Sequence, residues 1–111
     1  MAKNIPDKLY HCFPSKILGD ILTEGLKPGF DGVIYFADSF KSAAIFLLIR
    51  GHQAKDLFVI EVPTELLDKN KIDESFDHSE EFFKCKAYVY GNTIPKKTIE
   101  ECNLYKIQEE K

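Results

Sequence analysis

The sequence predicts an α+β domain in which two helices pack on a curved, mostly antiparallel sheet. Three observations carry this expectation. Strand-like and helix-like segments alternate as β-α-β-α-β over the first half of the chain. Two further strand segments then follow with no long helical pattern between them, so they can return antiparallel. Finally, 111 residues, 44% hydrophobic and 30% charged, suffice for one core and not comfortably for two. The whole chain, 1–111, is therefore read as a single domain.

Residues 1–7 are a polar lead-in. "LYHCF", Leu9 to Phe13, alternates loosely and is rich in strand formers, so it is the first strand. Pro14 then opens a helix, because its missing N–H would have had no partner in a first turn. Ile17, Leu18, Ile21 and Leu22 give that helix an apolar stripe, and Gly25 ends it, with Pro28 three residues on. Lys27 to Gly32 is a loop. "VIYFA", Val33 to Ala37, is nearly all apolar and suits a strand buried on both faces. Asp38 or Ser39 caps a second helix that runs to about Arg50 and stops at Gly51. "DLFVIEVP" is a third strand, halted by Pro63. "TELLDKNKIDESFDHSEE" holds seven acidic residues against two lysines and reads as a short helical turn followed by an exposed loop. "FFKCKAYVYG" is a strand with Phe83, Cys85, Ala87 and Val89 on one parity. "NTIPKKTIEEC" is a turn, and "NLYKIQ" the last strand.

Composition narrows the function classes. A formal net charge of −3 argues against tight, non-specific binding to a phosphate backbone. Three cysteines, Cys12, Cys85 and Cys102, lie at wide spacings with no C-x-x-C, the pattern of reduced thiols in a cytoplasmic protein. The N-terminal "MAKNIPDK" lacks the apolar stretch of a secretory signal. The longest apolar run, "AAIFLLI", is far shorter than the roughly 20 residues that span a bilayer, and reads as a buried helix.

Few residues stand out as carriers of chemistry. His11 sits between Tyr10 and Cys12; if those two face one way, the imidazole faces the other. It is either a core histidine hydrogen-bonded to main chain or a group aimed at a ligand. Tyr35 brings the only hydroxyl to "VIYFA" and is either a core aromatic or a platform for a planar heterocycle. A metal site is not expected: His11, His52 and His78 show no H-x-x-x-H and no cysteine at ligand spacing. The acidic stretch from Glu65 to Glu81 is the pattern of a solvated surface. The chain has no G-x-S-x-G, no Walker loop and no G-x-G-x-x-G.

Taken together, "LYHCFPSKILGDILTEGLKP", "VIYFADSFKSAAIFL", "LFVIEVP" and "AYVYGNTIPKKTIEEC" resemble the small ADP-ribosyltransferase fold. That superfamily includes bacterial and phage ADP-ribosyltransferases and RNA 2′-phosphotransferases. The resemblance runs from about Leu9 to Tyr105. It implies a split sheet with a cleft that binds NAD. His11 would hold a ribose hydroxyl of the dinucleotide and Tyr35 would stack on nicotinamide. Cys12, Asp38 and Ser39 would also border the dinucleotide. A glutamate would stabilise the positive charge that develops as nicotinamide leaves.

The chain departs from that pattern where the glutamate is expected. Positions 85–87 hold Cys85, Lys86 and Ala87, and the nearest upstream carboxylates are Glu80 and Glu81. Either the strand register differs from the family's, or a loop carries Glu81 back into the cleft as the candidate catalytic carboxylate, or the transferase glutamate is absent. The phosphotransferase branch needs several arginines around its phosphates, and this chain has one, Arg50; Lys16 and Lys41 are the remaining cationic candidates. The reading is an NAD-using ADP-ribosyltransferase-like protein acting on a protein or nucleic acid, such as a toxin or a phage-encoded effector. The alternative is a non-catalytic module on the same fold that binds a nucleotide or a partner protein.

Overall fold

A computed structural model describes residues 5–29, 31–48, 51, 53–75 and 87–107. Within them the chain is α+β, with six strands in one antiparallel sheet: β1 (Lys8–Pro14), β2 (Ile34–Ala37), β3 (Leu57–Pro63), β4 (Ile72–Ser75), β5 (Ala87–Tyr90) and β6 (Asn103–Lys106). Their order across the sheet is β4-β5-β2-β1-β3-β6. Three α-helices accompany them: α1 (Leu18–Glu24), α2 (Phe40–Leu48) and the single-turn α3 (Lys96–Ile99).

Strand alternation divides the core in two. Leu9 and Phe13 of β1, Ile60 and Val62 of β3, Ile34 and Phe36 of β2, and Tyr88 and Tyr90 of β5 point to one face. There they meet Ile21 of α1, Leu26, Ile94 and Ile99 of α3. On the other face Cys12, Leu57 and Val59 meet Ala43 and Ala44 of α2, whose small side chains let that helix lie close to the sheet. Burying these apolar side chains drives the collapse; alternation decides which helix each one meets.

The first helix is tied to a distant part of the chain. Leu26 exchanges two main-chain hydrogen bonds with Ile94, at 2.9 and 2.8 Å. Gly25, at φ 87° and ψ −178°, makes this approach. A Cβ there would overlap the Ile94 carbonyl oxygen and stand 3.1 Å from the Lys96 nitrogen.

Several expectations are corrected. Tyr35 is 41% exposed, so β2 is buried on one face only; on the other face α2 packs over β1, β3 and Ala37. Leu22 is 52% exposed, whereas Ile21 is buried and Ile17 and Leu18 pack partly against the same core, so of the expected stripe only Leu22 faces away. The acidic segment is not simply a loop: after 3₁₀ turns at Thr64–Leu66 and Lys69–Lys71, Ile72–Ser75 forms edge strand β4. Its single buried apolar residue, Ile72, carries too little periodicity to be read beforehand. In β5 the core parity is Tyr88 and Tyr90; Ala87 and Val89 are half-buried on the opposite face. The "NTIP" segment holds the Ile94 bridge, and a third helix follows it where a plain turn was expected.

Candidate functional site

β1 and β2 are neighbours, yet they share a single register pair, Tyr10 with Ala37, where β1 and β3 share seven. Beyond that pair the ladder gives way, and a side chain takes over. His11 Nδ1 lies 2.7 Å from the Tyr35 carbonyl oxygen. A carbonyl only accepts, so Nδ1 carries the proton and donates it. The imidazole thus spans the opening and occupies the Tyr35 carbonyl in place of a main-chain N–H.

The His11 ring is half-buried against Phe13, with centroids 6.2 Å apart, and Phe36, edge-on at 5.8 Å. Burial pushes its pKa down from the usual 6.5, and the Tyr35 carbonyl partly opposes that shift. At neutral pH the ring is therefore uncharged, with its one proton on Nδ1, and Nε2 is an acceptor. Among the described residues no side-chain nitrogen or oxygen is both sealed from solvent and unpaired. Among the described residues Nε2 has no hydrogen-bond partner. This separates His11 from a fully satisfied core histidine.

Tyr35 is held differently. Its hydroxyl donates to Asp31 Oδ2 at 2.7 Å. Asp31 belongs to a tight loop: the Gly32 N–H donates to the Gly29 carbonyl at 2.9 Å and the Gly29 N–H to the Val33 carbonyl at 3.1 Å. Gly32 sits at φ 84°, left-handed backbone that favours glycine. Tyr35 pairs with Val89 of β5, and Val89 pairs with Asp73 of β4, so the three form one cross-strand row on the open face. Two strand spacings, about 10 Å, separate Tyr35 from Asp73.

His11 and Tyr35 are thus brought together by a hydrogen bond, but their rings do not share a face. His11 packs on Phe36, and Phe36 follows Tyr35 on β2, so the phenol points the other way. The two side chains stand on opposite faces of the sheet opening.

The remaining candidates fall as follows. Cys12 is buried beneath α2, and burial pushes its thiol up to about 11, so its sulfur is a core atom and not a surface available to a dinucleotide. Ser39 is the helix cap: its Oγ accepts from the Ser42 N–H at 3.2 Å and donates to Ser42 Oγ at 2.9 Å. Asp38, just before it, is half-buried. Glu81, Cys85, Arg50, His52 and His78 lie outside the described residues. Lys16 and Lys41 are exposed.

Sequence reasoning missed Asp31. Its signal was a carboxylate four residues before the only tyrosine of "VIYFA", a spacing with no meaning until the loop is seen to fold back. It also missed a polar knot on the α2 face. Buried Glu61 accepts from Tyr10 Oη at 3.0 Å and from Asn103 Nδ2 at 2.9 Å, with Lys8 Nζ at 3.5 Å. This knot joins β1, β3 and β6 and has a structural role.

A scan against protein-family models returns no match, and a search of curated proteins returns none. Among the described residues no helix is long and apolar enough to cross a membrane.

Proposed function

We propose that this chain is an ADP-ribosyltransferase-like domain that binds NAD across the β1–β2 opening and passes its ADP-ribose to a protein or nucleic acid. The observation that carries the reading is His11: a neutral imidazole, locked by the Tyr35 carbonyl, with Nε2 an acceptor that no described residue occupies. Such a group suits a ribose hydroxyl, which donates, and is wasted on a phosphate, which only accepts. Tyr35, 41% exposed, supports the second half of the reading, as an aromatic side chain for the nicotinamide ring. Because the rings stand on opposite faces and His11 itself bridges β1 to β2, one dinucleotide reaches both rings only if the bond between His11 and the Tyr35 carbonyl opens. In the transfer the bond between ribose C1′ and the nicotinamide nitrogen breaks. Its electron pair neutralises the pyridinium, and the acceptor's nucleophile bonds to C1′ and sheds a proton. Glu81 is the proposed carboxylate beside the developing positive charge.

One observation favours a second reading, nucleotide or protein binding without turnover: positions 85–87 hold no carboxylate. Nicotinamide release from NAD by the purified protein separates the two. Release that disappears in His11→Ala and in Glu81→Gln supports transfer. Thermal stabilisation by NAD or ADP-ribose with no nicotinamide released supports binding alone. A protein that neither turns over nor responds to either ligand refutes the dinucleotide reading.

A further inference from the structure

Tyr35 raises a question that the ribose contact does not answer. A tyrosine that is 41% exposed can satisfy its hydroxyl with water. Instead that hydroxyl donates to a carboxylate at 2.7 Å, a distance within the charge-assisted range. The carboxylate is itself placed by construction. The Gly29–Val33 and Gly32–Gly29 hydrogen bonds close the loop, and a Cβ at Gly29 would lie 3.3 Å from Asp31 Oδ1, so glycine leaves the aspartate room.

We propose that Asp31 is a positioning residue that orients the Tyr35 ring and makes it electron-rich, so that the site prefers a cationic heteroaromatic ring over its neutral counterpart. The inference rests on the dinucleotide reading and names what that site selects. Three steps carry it. The Tyr35 hydroxyl donates toward a negative oxygen, which draws its proton away and returns electron density to the ring. The ring face of a tyrosine is already the negative end of its quadrupole, and it attracts a cation placed over it. Asp31 adds a nearby negative charge with the same preference. Oxidised nicotinamide is a pyridinium cation; dihydronicotinamide is neutral, and the rest of the dinucleotide is the same in both. The contrast between NAD and NADH therefore isolates this one feature.

The tether also fixes geometry. A phenol anchored at its hydroxyl turns less freely, so less freedom is lost when a second ring stacks on it. Both effects act through Tyr35 and neither requires Asp31 to touch the ligand.

The experiment is calorimetric titration of the purified full chain with NAD and with NADH, over a period in which no nicotinamide is released. The wild-type protein is expected to bind NAD about two- to fivefold more tightly than NADH, the scale of a cation over an exposed aromatic ring. Asp31→Asn should bring that ratio close to one, Asp31→Glu should retain most of it, and Tyr35→Phe should reduce it as Asp31→Asn does. In a Tyr35→Phe background, Asp31→Asn should change the ratio less than it does in the wild type, because the hydrogen bond is already gone and only the nearby charge is lost. A ratio unchanged in Asp31→Asn, or equal weakening of both dinucleotides, overturns the role of Asp31 while the binding site stands. If neither dinucleotide binds the wild-type protein, both the site and this inference are overturned.

Discussion

Replacing Gly25 with alanine tests whether the docking of α1 against the Ile94 segment holds the fold together. At φ 87° and ψ −178° the backbone occupies a region that is almost restricted to glycine, and a side chain there costs about 1–3 kcal/mol. The new Cβ also overlaps the Ile94 carbonyl oxygen, with the Pro95 carbonyl carbon and the Lys96 nitrogen each 3.1 Å away. All three are main-chain atoms, so no side-chain rotation relieves the contact. The backbone has to separate, and the Leu26–Ile94 hydrogen bonds, 2.9 and 2.8 Å, lengthen or break. Each is worth about 0.5–1.5 kcal/mol net. The sum is roughly 2–6 kcal/mol, a large fraction of the about 5–15 kcal/mol that holds a domain of this kind. At about 4 °C per kcal/mol for this chain length, the melting temperature should fall by roughly 8–24 °C. Urea unfolding followed by far-ultraviolet circular dichroism reads the free energy directly, with the slope checked for change. A loss below about 1 kcal/mol would refute the reasoning, because neither the strain nor the overlap could then be present.

Further predictions address ionisation and exposure. The Asn103 amide, helped by Tyr10 and Lys8 and opposed by burial, holds the Glu61 carboxyl below its usual range. Its stabilisation is therefore present above about pH 4.5 and lost as pH falls through the folded-state pKa. Glu61→Gln should flatten that acid limb in denaturant melts between pH 3 and 6, and an unchanged limb would count against the knot. His11 acts in a separate window. Its folded pKa is lowered, so the unfolded chain binds more protons below about pH 6.5, and stability falls from there until the folded pKa is passed. His11→Asn should remove this slope, at most about 1.4 kcal/mol per pH unit, in the same melts. Burial pushes the Cys12 and Cys102 thiols up to about 11, leaving about one part in three thousand as thiolate at about pH 7.5. Both should escape brief iodoacetamide treatment of the native protein when modified peptides are mapped by mass spectrometry; rapid labelling of Cys12 would show that α2 does not seal it.

What the sequence by itself determined were the elements whose periodicity matches their surroundings. "LYHCF", "VIYFA" and "DLFVIEVP" carry enough strand formers to mark β1, β2 and β3. Gly25 marks the end of α1, and "DSF" contains the serine that caps α2. It also marked His11 and Tyr35 as unusual, because a lone imidazole and a lone hydroxyl inside apolar strands each demand a partner. Tertiary structure decided what those partners were. The Tyr35 carbonyl becomes available to His11 only because β1 and β2 part after Tyr10 and Ala37, and no local pattern encodes where a ladder opens. Alternation then sends the phenol to the face opposite the imidazole, which becomes legible only once the register between the two strands is known. Edge strand β4, with one buried apolar residue among charges, is a strand because β5 offers its hydrogen bonds. Asp31 matters because a glycine-built loop turns its carboxylate back onto Tyr35. In each case the deciding energy comes from a neighbour distant in sequence or from a turn in the backbone, and hydrophobic periodicity reports neither.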